Sequence, residues 1–177
     1  MNPPNRVLLT GPPGCGKTTA IIETLKLVSV PAVGFYTEEV RTAAPGQGRR
    51  VGFDVVALEG RRGPLARLGA PGPRVGRYGV DVPSFESIAL GALQEALRDP
   101  GKLVVLDELG KMEFQSERFV RLLSRLFQAP NPILGAVLAR PHPVAERFRH
   151  MPGIDVITVT QANRAELPGR LALLFNA

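Results

Sequence analysis

The chain has 177 residues, 44% of them hydrophobic and 21% charged, which is one domain's worth of polypeptide with apolar content enough for a buried core. Its 19 glycines and 17 prolines follow no period, so collagen-like and solenoid arrays are excluded, and no stretch reaches the roughly 18 apolar residues of a membrane span. The net charge of +6 sits almost wholly between Arg41 and Arg77, where Arg41, Arg49, Arg50, Arg61, Arg62, Arg67, Arg74 and Arg77 face only Asp54 and Glu59.

The polar start, Met1–Arg6, lacks the basic-then-apolar layout of a signal peptide. Arg6–Thr10 (RVLLT) reads as a buried strand running into a glycine-rich turn. Lys17–Val28 follows as a helix, with Ile21, Leu25 and Val28 on one stripe and Pro31 as its stop. Ala32–Thr37 is a second strand. Between Glu38 and Tyr78, Val51–Leu58 and Pro64–Leu68 read as hairpin strands appended to the main sheet. Pro83 and Ser84 open a helix whose apolar face runs from Phe85 to Leu97.

Leu103–Leu106 (LVVL) is a continuous apolar run, expected of a strand covered on both faces. Ser116–Gln128 is a helix, Ile133–Leu138 a strand, Val144–Arg149 a short helix, Asp155–Val159 a strand and Asn163–Phe175 a last helix. Such alternation predicts an α/β fold: a mostly parallel sheet flanked by helices on both faces, with a β-hairpin insert over residues 38–78. The whole of 1–177 reads as a single domain. Ligands of such sheets lie beyond the carboxyl ends of the strands.

The strongest motif is Gly11-Pro12-Pro13-Gly14-Cys15-Gly16-Lys17-Thr18, which fits G-x-x-x-x-G-K-[ST] between a strand and a helix. Glycines let the backbone wrap so that amide N–H groups converge on phosphate oxygens, and the helix start adds its positive end. Lys17 brings a point charge to the β- and γ-phosphates, and the Thr18 hydroxyl is a hard oxygen ligand for Mg²⁺. Leu103-Val104-Val105-Leu106 followed by Asp107-Glu108 is the layout of a Walker B strand. Asp107 is the second Mg²⁺ ligand, and Glu108 is placed to polarise an attacking water. Arg140 ends a strand, where it either reaches the γ-phosphate or lies on the surface before a Pro-rich loop; Lys111 carries the same two readings. Asn163 and Arg164 follow the last strand, a position from which a base can be met. His142 and His150 have no partner at metal-ligand spacing. Cys15 allows no disulfide framework, which points to a reducing, cytoplasmic setting.

The blocks GPPGCGKTT, GFYTEEVR (Gly34–Arg41), YGVDVPSFE (Tyr78–Glu86), LDELGKME (Leu106–Glu113) and TQANR (Thr160–Arg164) together resemble the cancer-related and thermophile-type nucleoside-triphosphatase family, from residue 6 to about 165. Leu109 stands where that family usually has isoleucine, and the loop Arg140–Pro143 varies within it. The resemblance implies a P-loop NTPase of the RecA-like, additional-strand type. It also implies slow, Mg²⁺-dependent cleavage of ATP, GTP and other nucleoside triphosphates to diphosphate and phosphate. Carried over by position, Gly11–Thr18 with Thr19 bind the triphosphate and Leu103–Gly110 forms the second nucleotide-contacting stretch; Glu108, Lys17 and Arg140 are the catalytic candidates.

Two other classes stay open on the residues. One is a kinase transferring the γ-phosphate to a small molecule, a nucleotide or a nucleic-acid 5′ end, with an arginine-rich lid from the insert or from Arg140–Arg149. The other is an RNA-associated regulatory ATPase, for which the basic insert makes nucleic acid a candidate partner. The oligomeric state is open, with a monomer the working expectation, and no membrane partner is expected.

Overall fold

In the first strand, β1 (Arg6–Thr10), side chains alternate between faces: Val7 and Leu9 enter one core cluster, Leu8 the other, and all three are buried. The same two-sided burial holds in β7 (Leu103–Leu109), where Leu103 and Val105 face one side and Val104 and Leu106 the other. These strands therefore need cover on both faces. The computed structural model describes residues 5–42 and 48–177 and shows that cover. Residues 1–4 of the polar start and 43–47 of the basic insert lie outside the described residues.

On one face lie α1 (Lys17–Leu25) and α5 (Leu167–Asn176), packed through Ala20, Ile21, Leu171 and Phe175. On the other lie α2 (Val82–Arg98), α3 (Glu117–Leu126) and α4 (Pro143–Arg149). Local chemistry sets the helix starts: the Asp81 carboxylate accepts the Ser84 N–H at 2.9 Å, and the Ser116 hydroxyl accepts the Phe119 N–H at 3.0 Å. Phe35, Phe85 and Phe119 meet edge to face with centroids 4.9–5.7 Å apart and tie β2 to α2 and α3.

Among the described residues the sheet has nine strands in the order β5-β6-β4-β3-β2-β7-β8-β1-β9. With β8 (Ile133–Val137), β9 (Asp155–Thr158) and β2 (Ala32–Arg41), the parallel half reads β2-β7-β8-β1-β9. One strand, β8, stands between β1 and β7, so the glycine-rich loop and the Asp107-Glu108 pair are separated by an additional strand at the same sheet edge. The other half is antiparallel: β3 (Arg50–Ala57), β4 (Arg62–Leu68), β6 (Tyr78–Val80) and β5 (Arg74–Val75) continue the sheet outward from β2. The sheet is thus mixed, and the strands read from the sequence as hairpins appended to it continue it outward from β2.

Several elements differ in extent from the reading of the sequence: α1 stops at Leu25 rather than Val28, α3 at Leu126 rather than Gln128, and β7 runs past Leu106 to Leu109. The strand β2 continues to Arg41, because beyond Phe35, where β7 stops pairing with it, β3 takes up its hydrogen bonds. The last helix begins at Leu167 rather than Asn163, with Pro168 in its first turn, because Asn163 closes a tight loop instead.

Gly34 (φ +136°) marks where β2 and β7 approach most closely: a Cβ there would lie 2.0 Å from the Val105 carbonyl oxygen. Backbone cannot yield as a side-chain tip can, and the torsion is itself costly for an L-residue. Gly34→Ala is expected to destabilise the fold by about 3 kcal/mol or more, read as a lowered midpoint in urea or thermal unfolding.

Candidate active site

Gly11 (φ +144°), Gly14 (+76°) and Gly16 (+108°) bend the chain after β1 into a loop that only glycine adopts readily at three such positions. Gly16 is the N-cap of α1, so the helix begins with its free N–H groups directed into the loop. Lys17 is buried, its Nζ donating to the Gly11 carbonyl at 3.0 Å and to Pro12 at 3.4 Å. An ammonium held on two carbonyls above a helix start is a ready site for polyphosphate.

A cleft of about 600 Å³ opens over this loop. Gly11, Pro13, Gly14, Gly16, Lys17, Thr18 and Thr19 line it from one side. Glu108, Gly110, Lys111 and Arg140 line it from the ends of β7 and β8. The P-loop and the acid at the Walker B strand end thus meet in one place, and Arg140 and Lys111 meet them there. The Asp107–Glu108 peptide is cis, and β7 slips in register against β8 between Leu106 and Leu109.

Asp107 lies beneath the cleft, 1% exposed, and among the described residues no well-formed hydrogen bond reaches either carboxylate oxygen, although the Thr18 hydroxyl and the Thr37 N–H stand near enough to favour its charged form. Burial pushes its pKa up to about 7; Thr18 and Lys17 nearby pull back toward the charged form, while Glu108 adds to the rise. A second buried acid, Glu113, sits in the 3₁₀ turn Glu113–Gln115 and accepts the Gly110 N–H at 3.2 Å. Burial pushes it up to about 8, with the Glu108 and Asp107 carboxylates adding to the rise and its own and Gly110's N–H opposing it.

Not every residue singled out from the sequence reaches the cleft. Leu103, Val104, Val105, Leu106 and Leu109 are 0% exposed, belong to the two cores and do not line the cleft; they position Asp107 and Glu108. Pro12 and Cys15 are in the loop but do not line the cleft; Cys15 packs against the core beside Gly11. Asn163 stands apart from these cleft residues. It does not line the cleft, and its side chain accepts the Thr160 N–H and donates to the Thr158 carbonyl, both at 2.9 Å. Its neighbour Arg164 instead lies against Gly16 of the loop. His142 caps α4 and stacks on Phe114.

The basic insert is less free than its sequence suggests. Arg41 and Arg50 pair with Glu39, Arg61 with Glu59, Arg62 with Glu38 and Asp54, and Arg67 with Asp54. Glu38 and Glu39 lie on β2, just before the arginine-rich stretch, and the β2–β3 register brings them alongside it. These pairs engage Arg41, Arg50, Arg61, Arg62 and Arg67 with four carboxylates, so the stretch carries less free cationic charge than its own residues suggest while remaining net positive.

Residues that the sequence did not single out also line the cleft: Thr37 and Glu39 of β2, Arg50 and Phe53 of β3, and Glu113. Arg149 of α4 reaches the Thr10 hydroxyl at 3.4 Å, just ahead of the loop.

The chain matches the family model described as NTPase over residues 6–172. It is 44% identical to the human cancer-related nucleoside-triphosphatase over 91% of each chain. It is 37% identical to the nucleoside-triphosphatase THEP1 of Thermotoga petrophila, covering 92% of this chain and 88% of that one. The fold superposes on the crystal structure of THEP1 from the hyperthermophile Aquifex aeolicus with a TM-score of 0.85, at 32% identity and over 97% and 99% of the two chains. It superposes on the solution structure of the human protein with a TM-score of 0.79, at 42% identity over 96% of each.

The two buried acids fix a pH dependence. Both pKa values are raised on folding, so their stabilisation is complete below the unfolded values, near 4, and is lost as pH rises through about 7 for Asp107 and about 8 for Glu113. In magnesium-free buffer the melting temperature is expected to fall by several degrees between about pH 5 and about pH 9. Glu113→Gln is expected to remove a large part of that slope, measured by thermal unfolding across the range.

Proposed function

We propose, from the premise that the chain belongs to the NTPase family and is a nucleoside-triphosphatase, that its triphosphate lies across Gly11–Thr19 with the γ-phosphate toward Glu108. One observation carries this reading: the P-loop and Glu108 line a single cleft. Lys17 turns from the Gly11 and Pro12 carbonyls to the β- and γ-phosphate oxygens. Base breadth belongs to the same proposal, because backbone N–H groups grip the phosphates, which every nucleoside triphosphate shares.

The residues present fit a magnesium ion. A buried carboxylate without a well-formed hydrogen bond on either oxygen, next to a threonine hydroxyl, is a set of hard oxygen donors suited to a cation. Asp107 and Thr18 would hold it, directly or through water. When bound, magnesium offsets the negative charge that builds on the phosphoryl oxygens. Glu108 orients a water in line with the γ-phosphorus and takes its proton as the new P–O bond forms. Arg140 and Lys111 stand at the same end of the cleft, where they stabilise charge on the leaving and transferring oxygens.

The same reading treats 1–177 as one domain, with the strands of the insert forming a wall of the cleft. Among the described residues no helix is long and apolar enough to cross a membrane. Action as a cytoplasmic monomer is part of the proposal, supported by the lone free Cys15.

Glu108→Gln is expected to lower phosphate release by about 10² or more while leaving affinity for ATP within a few-fold, read from a phosphate-release assay beside calorimetric titration. Unchanged turnover in that variant removes Glu108 from the mechanism.

A further inference from the structure

Hydrolysis asks of the cleft a phosphate cradle, a cation site and room for one water. The cavity is about 600 Å³, and beyond Glu108 its chemistry changes: Phe53, Leu65, Val75 and Met112 line it, with Glu39 and Arg50 at the rim. A triphosphate tail has no apolar atoms to match this wall, and water needs none.

The wall is built by the half of β2 that outruns the parallel sheet. Residues Ala32–Phe35 pair with Leu103–Leu106 of β7, but Tyr36–Arg41 continue past that edge and pair only with β3. Thr37 and Glu39 fall on one face of β2, and Phe53 stands opposite Glu39 in the ladder. Arg50 is fixed over this group: its guanidinium lies 5.2 Å from the Phe53 ring centroid, its Nη1 donates to Glu39 at 2.9 Å and its Nε to the Tyr78 hydroxyl at 3.1 Å. An aromatic ring, a guanidinium plane and a carboxylate are thus held together on the γ-phosphate side of the site. The base of the bound nucleotide does not compete for this space. A P-loop cradles the α- and β-phosphates and presents the γ-phosphate to the Walker B acid, so the nucleoside leaves from the opposite end.

We propose that this half of the cleft is the subsite of a phosphoryl acceptor, namely a nucleoside: a flat heterocycle carrying a sugar hydroxyl. The ring packs on Phe53 and Val75, Glu39 accepts a ring N–H, and the hydroxyl is directed at Glu108. The hydroxyl oxygen forms a bond to the γ-phosphorus, the bond from that phosphorus to the β–γ bridging oxygen breaks, the nucleoside diphosphate leaves, and the hydroxyl proton passes to Glu108. Water in the place of the hydroxyl gives phosphate release. This inference rests on the reading of Glu108 as the base at the γ-phosphate.

The test uses the full chain with magnesium and ATP labelled in its γ-phosphate, offered millimolar adenosine, guanosine, cytidine, uridine or thymidine. The expected result is label on at least one nucleoside, with an equal fall in free phosphate. Val75→Trp, which closes the apolar end, is expected to cut labelled nucleoside about tenfold or more, while phosphate release without nucleoside stays unchanged and shows that the variant is folded. No label on any nucleoside, while free phosphate is still released, overturns the subsite. Label transfer that survives both Val75→Trp and Phe53→Ala overturns its location. Absence of phosphate release with and without nucleoside strikes the hydrolytic reading of Glu108 itself, which keeps the two failures apart.

Discussion

A carboxyl group buried without a well-formed hydrogen bond costs a folded protein several kcal/mol, and Asp107 is such a group, with the Thr18 hydroxyl, the Thr37 N–H and Lys17 nearby offsetting only part of its burial. The cost is tolerated because of where the carboxyl stands. It stands near the carboxyl end of a strand packed on both faces, beside Lys17 and Thr18. In the proposed function a cation and a polyphosphate arriving there supply the missing partners. The rest of the parallel sheet serves this placement: β8 spaces β7 from β1, and the register of the three strands brings their carboxyl ends to one edge.

The antiparallel extension turns that edge into a cleft. Because β2 outruns β7, its second half and β3 stand up beside the phosphate loop and close the side away from β9. Five of the insert's eight arginines are paired within this wall, to Glu38, Glu39, Asp54 and Glu59. What distinguishes hydrolysis from transfer at such a site is what stands behind the γ-phosphate, and in the proposed placement that is an aromatic and aliphatic wall.

Much of this was legible in the chain. Short apolar runs with glycine or acid at their ends gave β1, β7 and β8, and the loop Gly11–Thr18 declared its chemistry by spacing alone. The two-residue strand β5 and the three-residue β6 carry too few side chains for a period-2 signal. Glu39, Arg50 and Phe53 could not be tied to the site, since their meeting depends on a ladder register with an irregularity near Arg41. The family resemblance carries Leu103–Leu106 over as part of a nucleotide-contacting stretch, whereas their side chains are wholly buried in the two cores. Asn163 looked equally placed for a base, but Asn is a loop closer by chemistry, and here its amide is spent on Thr158 and Thr160. Glu113 gave no signal of burial, because an acid in a polar-looking segment is ordinarily solvated.

The claim that Asp107 is held strained for a cation is tested most directly by thermal unfolding of Asp107→Asn at about pH 8, with and without magnesium and ATP. The account predicts that the variant melts higher than the natural chain in the absence of ligand, because a desolvated charge is gone, and that magnesium with ATP raises its melting temperature far less. A variant that melts lower without ligand, and is still stabilised by magnesium and ATP as fully as the natural chain, would contradict it.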